Sequence, residues 1–234
     1  MTSSPVPHAG TPTQGHWTFT TLVERARSLA RSGRRVVLGI AGPPGAGKST
    51  LAHRLAAELG ADTAVVVPMD GFHLADAELR RLGRRQRKGA PDTFDTTGYL
   101  ALLRRLRERP GHCVYAPRFC RSIEDPVAGA IPVQPEVPLV ITEGNYLLLE
   151  EGPWRAVRPL LDEAWYLTPD PETRLGRLIE RHIAHGKPPE EARRWSLGSD
   201  QRNADRIDAT RSRADLVFAP PLLPDSVTEG ETLT

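Results

Sequence analysis

One run constrains this chain more than any other: Gly42-Pro43-Pro44-Gly45-Ala46-Gly47-Lys48-Ser49-Thr50, a complete G-x-x-x-x-G-K-[ST] motif. Its flanks are those the motif requires. Arg35 to Ile40 (RVVLGI) is a short apolar run with β-branched residues and reads as a buried strand. Leu51, Leu55 and Leu59, at spacing four, read as a helix that Gly60 stops. In such a strand–turn–helix unit, glycines let backbone N–H groups curl around an anion, and the helix N-terminus adds its partial positive charge. Lys48 then reaches the β/γ-phosphates and Ser49 holds Mg²⁺, so all nine residues are candidates for nucleotide contact.

The rest of the chain repeats strand and helix. Thr63–Val67, Leu139–Thr142, Trp165–Thr168 and Leu216–Phe218 read as further strands. Helices are expected at Asp76–Arg81, Thr97–Glu108, Trp154–Leu161 and over a long region from Pro171 to about Arg213. An earlier one starts from a Thr21/Glu24 capping-box pattern. The alternation predicts an α/β fold: a five-stranded parallel sheet of order 2-3-1-4-5 in strand sequence, helices on both faces, binding at the strands' carboxyl ends. Between Gly111 and Pro138 the pattern changes to short strand-like pieces and prolines, a hairpin excursion suited to substrate contacts. Residues 1–16 read as a disordered tail, 17–224 as the domain and 225–234 as a frayed end.

Composition narrows the partners. A chain of 234 residues with net charge +2 fits one domain and does not demand a polyanion. The basic run from Arg80 to Lys88 lacks the interleaved aromatics of a single-strand binder, so no nucleic-acid partner is expected. No apolar run approaches the ~20 residues of a membrane span, and two cysteines make no disulfide framework, which favours a cytoplasmic protein. Of the 31 basic residues only Lys48, Lys88 and Lys187 are lysine, and none sits in an [NT]-K-x-D guanine-reading context. Asp95-Thr-Thr-Gly98 matches the GTPase D-x-x-G by letters, but no apolar strand delivers it.

Two acids end strands. Asp70 closes VVVPMD and Glu143 closes LVITE, which puts both carboxylates at the sheet's carboxyl edge, and the order 2-3-1-4-5 is expected to set both beside strand one. One can accept the proton of an attacking hydroxyl while the other positions Mg²⁺. Asp70 is assigned as base and Glu143 to the metal; the reverse, a shared role or plain loop capping are the alternatives. His73 either packs structurally or touches substrate. Arg174, Arg177 and Arg181 recur at i, i+3 and i+7 on one helical stripe, able to close over a triphosphate as a lid or merely to face solvent.

With GPPGAGKST, MDGFH, RKGAPDTFD (Arg87–Asp95), YAPRFCRSIEDP (Tyr115–Pro126), ITEGNYLLL, RHIAHGKPPEEARRW and SDQRNADRI together, residues 35–219 resemble the P-loop kinases of the phosphoribulokinase, uridine kinase and bacterial pantothenate kinase type. The likeness is strongest to the branch labelled nucleoside/nucleotide kinase or fructose transport system kinase. The resemblance implies a P-loop NTPase fold, three-layer α/β/α with a helical lid and a small substrate-binding excursion. It also implies transfer of the γ-phosphate of ATP, with Mg²⁺, to a hydroxyl of a small metabolite: a sugar, polyol, nucleoside or pantothenate-like alcohol. By motif position Asp70 is similar to the family's catalytic acid, Arg118 to its basic substrate-loop residue, and Arg174 and Arg177 to its lid arginines. His73, Lys88, Asp92, Asn145 and Asn203 lie in typical blocks and are candidate substrate contacts. The tyrosine-rich segment of pantothenate kinases appears here as APRFCRSIED, which argues against pantothenate itself. A monomer or homodimer is expected. The competing function is a P-loop ATPase with a conformational or chaperone-like role and no small-molecule acceptor.

Overall fold

A computed structural model describes residues 13–220 except 16, 185 and 187, and the side chain of 199. Residues 1–12 of the expected tail at 1–16, the expected frayed end at 225–234, and Lys187 lie outside the described residues. In chain order the elements are β1 Thr13–Gln14, α1 Phe19–Ala30, β2 Val36–Ala41, α2 Lys48–Leu59, β3 Ala64–Val66, α3 Asp76–Arg81, α4 Thr96–Glu108, β4 Val114–Cys120, β5 Asp125–Val133, β6 Leu139–Gly144, β7 Glu163–Leu167, α5 Pro171–Ala184, α6 Pro189–Trp195, α7 Gln201–Asp208 and β8 Leu216–Phe218.

The main sheet is wholly parallel with order β3-β6-β2-β7-β8-β1. Its first five strands are those expected, in the expected order. The sixth corrects the strand count: Thr13–Gln14, within the stretch read as tail, pairs with β8 through Thr13↔Leu216 and Gln14↔Val217. Two polar residues carry no periodic signal; the pairing comes from tertiary context, with Trp17 packed on Phe218 at 6.5 Å between ring centroids.

All six residues of β2 are buried because the sheet is covered twice. Val36, Leu38 and Ile40 pack with Leu22, Ala26, Leu51 and Leu55 of α1 and α2, whereas Val37 and Ala41 pack with Tyr99, Leu103 and Leu106 of α4. Alternation along one strand thus feeds two cores, each buried leucine contributing about 1.5–3 kcal/mol.

Local chemistry moves several boundaries. Helix α1 is capped by Thr18, whose hydroxyl accepts from the Thr21 N–H at 3.2 Å, so the cap lies three residues before the expected one. Asp95 caps α4, its Oδ1 accepting the Gly98 N–H at 2.8 Å; the letters D-x-x-G are a helix cap. The helix expected at Trp154–Leu161 is two short 3₁₀ turns, Gly152–Ala156 and Arg158–Leu160, each holding a proline without an N–H to donate. The long region after Pro171 divides into α5, α6, a π turn at Ser196–Asp200 and α7. The excursion is a hairpin, β4 antiparallel to β5 with a register shift between Ala116 and Arg118. No helix of the described residues is long and apolar enough to cross a membrane.

Candidate active site

The motif forms the expected loop between β2 and α2. Gly45 holds φ +81°, and a Cβ there would stand 2.9 Å from both the Arg174 carbonyl oxygen and Leu178 Cγ. Only glycine lets α5 seat on the loop this closely. The first turn of α2 has no side-chain cap, which leaves its N–H groups for an anion.

Lys48 is buried, its ammonium donating to the Pro43 carbonyl at 3.0 Å and to Asn145 Oδ1 at 2.7 Å. Ser49 Oγ donates to Glu143 Oε1 at 2.9 Å. Burial, reinforced by the charge of Asp70 and opposed by Lys48, pushes the Glu143 carboxyl up to about 7. Burial likewise brings Lys48 down to about 8 against the pull of Glu143 and Asp70. These are the marks of a tight charge cluster in a dry place.

The two acids arrive by different routes. Glu143 is the last residue but one of β6, directly beside β2, with Ile40 as its register partner. Asp70 does not flank β2, contrary to the expected arrangement, because β6 lies between it and β3. It reaches the cluster on a 3₁₀ turn, Met69–Phe72, laid over the end of β6. The approach depends on Gly144, where a Cβ would come within 2.6 Å of Met69 Cβ. Thr142 pins the seam, donating to the Val67 carbonyl at 2.7 Å and accepting from Tyr99 Oη at 2.6 Å.

Of the lid stripe, Arg174 is buried, its Nη2 donating to Gln201 Oε1 while its Nη1 finds no hydrogen-bond partner among the described residues. It lines a cavity of about 320 Å³ with Pro43, Thr168, Gln201, Asp205 and Asp208. Arg177 is exposed, with Nη1 3.8 Å from a Cβ placed on Gly47. Arg181 lies within electrostatic reach of Lys48, Asp70 and Glu143.

The remaining candidates separate. His73 Nδ1 donates to the Asp70 carbonyl at 2.8 Å, since a carbonyl only accepts, and its ring packs on Phe94 and Phe119 at 4.0 and 4.9 Å. Burial lowers its pKa, which favours the neutral ring. Lys88 is held by Asp76 at 2.6 Å and donates to the Glu124 carbonyl. Asp92 is half-exposed and meets Arg87 at 2.6 Å and Arg84 at 3.5 Å. Arg118 is exposed on β4 beside the Asp70 turn. Asn203 is half-buried on α7, but the residue of that helix that reaches Arg174 is Gln201. Gln201 and Arg121, which lies within electrostatic reach of Glu143, are the residues that sequence reasoning missed. Both stand in blocks whose letters were noticed but whose contacts depend on loop placement.

A parallel sheet of this order, a phosphate-binding loop with two acids at its mouth and a helix seated on the loop define a P-loop nucleotide-binding protein of kinase architecture. Known proteins narrow this. The chain is 34% identical over 207 residues to "Putative uridine kinase C227.14" of Schizosaccharomyces pombe, covering 84% of this chain and 88% of that one. It is 35% identical over 188 residues to the uncharacterized protein YggC of Escherichia coli, 79% of this chain and 77% of that. The crystal structure of a "putative fructose transport system kinase" from Silicibacter sp. TM1040 superposes with a TM-score of 0.78 at 37% identity, covering 87% of this chain and 100% of that one. The family model for the methylmalonyl-CoA mutase-associated GTPase MeaB matches residues 13–70, stopping before α4, the hairpin, Glu143 and the lid. The chain belongs to the P-loop kinases of the phosphoribulokinase and uridine kinase group, and is a phosphotransferase with an alcohol group as acceptor.

Proposed function

We propose that this chain transfers the γ-phosphate of ATP, in the presence of Mg²⁺, to a hydroxyl of a small metabolite, with Asp70 as base and Glu143 on the metal side. The observation that carries the reading is the Ser49–Glu143 hydrogen bond at 2.9 Å with Asp70's charge acting on the same carboxylate. The residues present suit both ligands. A hydroxyl and a buried carboxylate are hard oxygen donors of the kind Mg²⁺ takes together with phosphate oxygens, and Ser49 and Glu143 would hold it. The Nη1 of Arg174 beside the loop, without a partner among the described residues, is a donor suited to an anionic acceptor. Bound there, Mg²⁺ would neutralise phosphate charge.

The protein's own groups do the rest. Lys48, fixed by Asn145, faces the β/γ-phosphates, and Arg174 and Arg177 supply charge as the phosphoryl group moves. The Asp70 carboxylate takes the proton of the acceptor hydroxyl as its oxygen bonds to the γ-phosphorus and the bond to the β,γ-bridging oxygen breaks. Packing of α5 on Gly45 keeps Arg174 against the loop, with Arg177 near Gly47.

Uridine, named for one relative, and fructose, named in the transport-system description of another, are acceptors to try. The test is a mass-spectrometric screen of metabolite pools for an ATP-dependent gain of one phosphoryl group, absent with Lys48→Ala. ATP consumption without any phosphorylated metabolite would overturn the reading.

A further inference from the structure

The acceptor side of the cleft is bounded by the β4–β5 hairpin. The base of the hairpin lies on the turn that carries Asp70: a Cβ on Gly71 would stand 2.4 Å from the Pro117 carbonyl oxygen and 3.2 Å from the Arg118 nitrogen. The Phe119 ring meets His73 at 4.9 Å and the Lys88 ammonium at 5.1 Å. Phe94, Tyr146 and Trp154 are buried and close on one another at 5.4–5.8 Å. These three rings are spent on one another, whereas Tyr115 of β4 is exposed.

Guanidinium groups stand near the Asp70 turn. Arg118 is exposed with its backbone against the Asp70 turn. Arg121 opens the hairpin turn, whose far end is tied down: the Glu124 carbonyl accepts from Lys88, and Asp125 accepts the Asp76 N–H at 2.8 Å. The Lys88 charge is met by Asp76 at 2.6 Å, which makes Lys88 a strut for the hairpin. The fixed turn brings Arg121 within electrostatic reach of Glu143 below and Arg181 across the cleft. Solvent reaches Arg181, yet enough protein surrounds its guanidinium to lower its pKa, the like charge of Arg121 adding to the effect and the carboxylates of Asp200, Asp70 and Glu143 opposing it. Like charges brought together from a hairpin and a lid helix suit an anion between them. On the nucleotide side, Lys48, Arg174 and Arg177 already serve the triphosphate.

Building on the kinase reading, we propose that the phosphate acceptor is itself an anion, a hydroxy compound bearing a carboxylate or a phosphate, and that Arg121, with Arg118 beside it, binds that group while the hydroxyl faces Asp70. The hairpin is then the element that selects substrate, through charge.

The test uses paired probes with ATP and Mg²⁺: glycerol against glycerate, ribose against ribose 5-phosphate, fructose against fructose 6-phosphate, uridine against uridine 5′-monophosphate. Product is followed by mass. The carboxylate arm and the phosphate arms separate the two sources of negative charge. The expected result is phosphorylation of an anionic member with kcat/KM at least about tenfold above its neutral partner. Loss of one charge-assisted hydrogen bond in Arg121→Gln should raise KM for that acceptor about 10- to 100-fold, with a much smaller change in kcat and partial recovery in Arg121→Lys. Arg121 is exposed, so these variants fold. Equal or better use of the neutral partner, with Arg121→Gln indifferent, overturns the proposal and leaves the kinase reading standing. A raised KM for ATP with an unchanged acceptor KM assigns Arg121 to the nucleotide and also overturns it. A product from neither member of any pair counts against both readings.

Discussion

Replacing Glu143 by Gln should make the ligand-free protein more stable while destroying its activity. The carboxyl is buried and its pKa rises from an ordinary 4.5 to about 7, chiefly through burial and then the charge of Asp70. At roughly 1.4 kcal/mol per pKa unit, the ionised form costs the folded state on the order of 3 kcal/mol. Below pH 4.5 folded and unfolded chains both hold the proton. Between pH 4.5 and 7 the unfolded chain has lost it and the folded chain keeps it, so stability falls as pH rises, then levels off above 7. Gln has nearly the same volume, never ionises and can still accept from Ser49. At pH 8 and without Mg²⁺, Glu143→Gln should gain about 1–3 kcal/mol, a Tm rise of roughly 3–10 °C for a domain of this size. At pH 4.5 the gain should vanish. The assay is thermal unfolding of both proteins in EDTA across pH 4.5–8.5. Equal or lower stability of the variant at pH 8 would refute the reasoning, because Lys48 and Ser49 would then more than offset the burial of the charge.

Asp70→Asn should lower kcat about 10²- to 10⁴-fold with little change in KM for ATP, read by steady-state kinetics; undiminished turnover moves the base to Glu143. Arg174→Met removes a buried charge that is only partly satisfied, so ligand-free stability should hold within about 1 kcal/mol while affinity for ATP falls about 10- to 100-fold in calorimetric titration. Gly71→Ala drives a Cβ to within 2.4 Å of the Pro117 carbonyl oxygen. It should cost about 1–3 kcal/mol and raise the acceptor KM as the hairpin shifts, leaving nucleotide affinity near wild type in the same titration.

The nucleotide half of the site was legible because its chemistry is local. The loop from Gly42 to Thr50, the strand before it and the leucines after it lie in one continuous stretch, and backbone geometry makes the letters sufficient. The sheet order followed from the same alternation. Asp70 and Glu143 were found as acids at strand ends, although the way Asp70 crosses β6 depends on the Gly144–Met69 contact, which no pattern announces. The acceptor half was harder to read. Lys88 stood out by scarcity yet braces the hairpin through Asp76, twelve residues earlier in the chain. Arg121 was one arginine among many, and its position depends on a hairpin anchored by His73, Lys88 and Asp76 from another segment. Asp95 shows the converse error of letters, where a GTPase-like tetrapeptide is the cap of α4.

The central claim is that the phosphoryl group goes to an alcohol and not to water. Turnover in ¹⁸O-labelled water with ATP, Mg²⁺ and a metabolite extract tests it directly. Transfer predicts a new phosphate ester whose phosphoryl oxygens carry no label, formed in step with ADP. ADP matched instead by singly labelled inorganic phosphate, with no ester formed, would contradict the account.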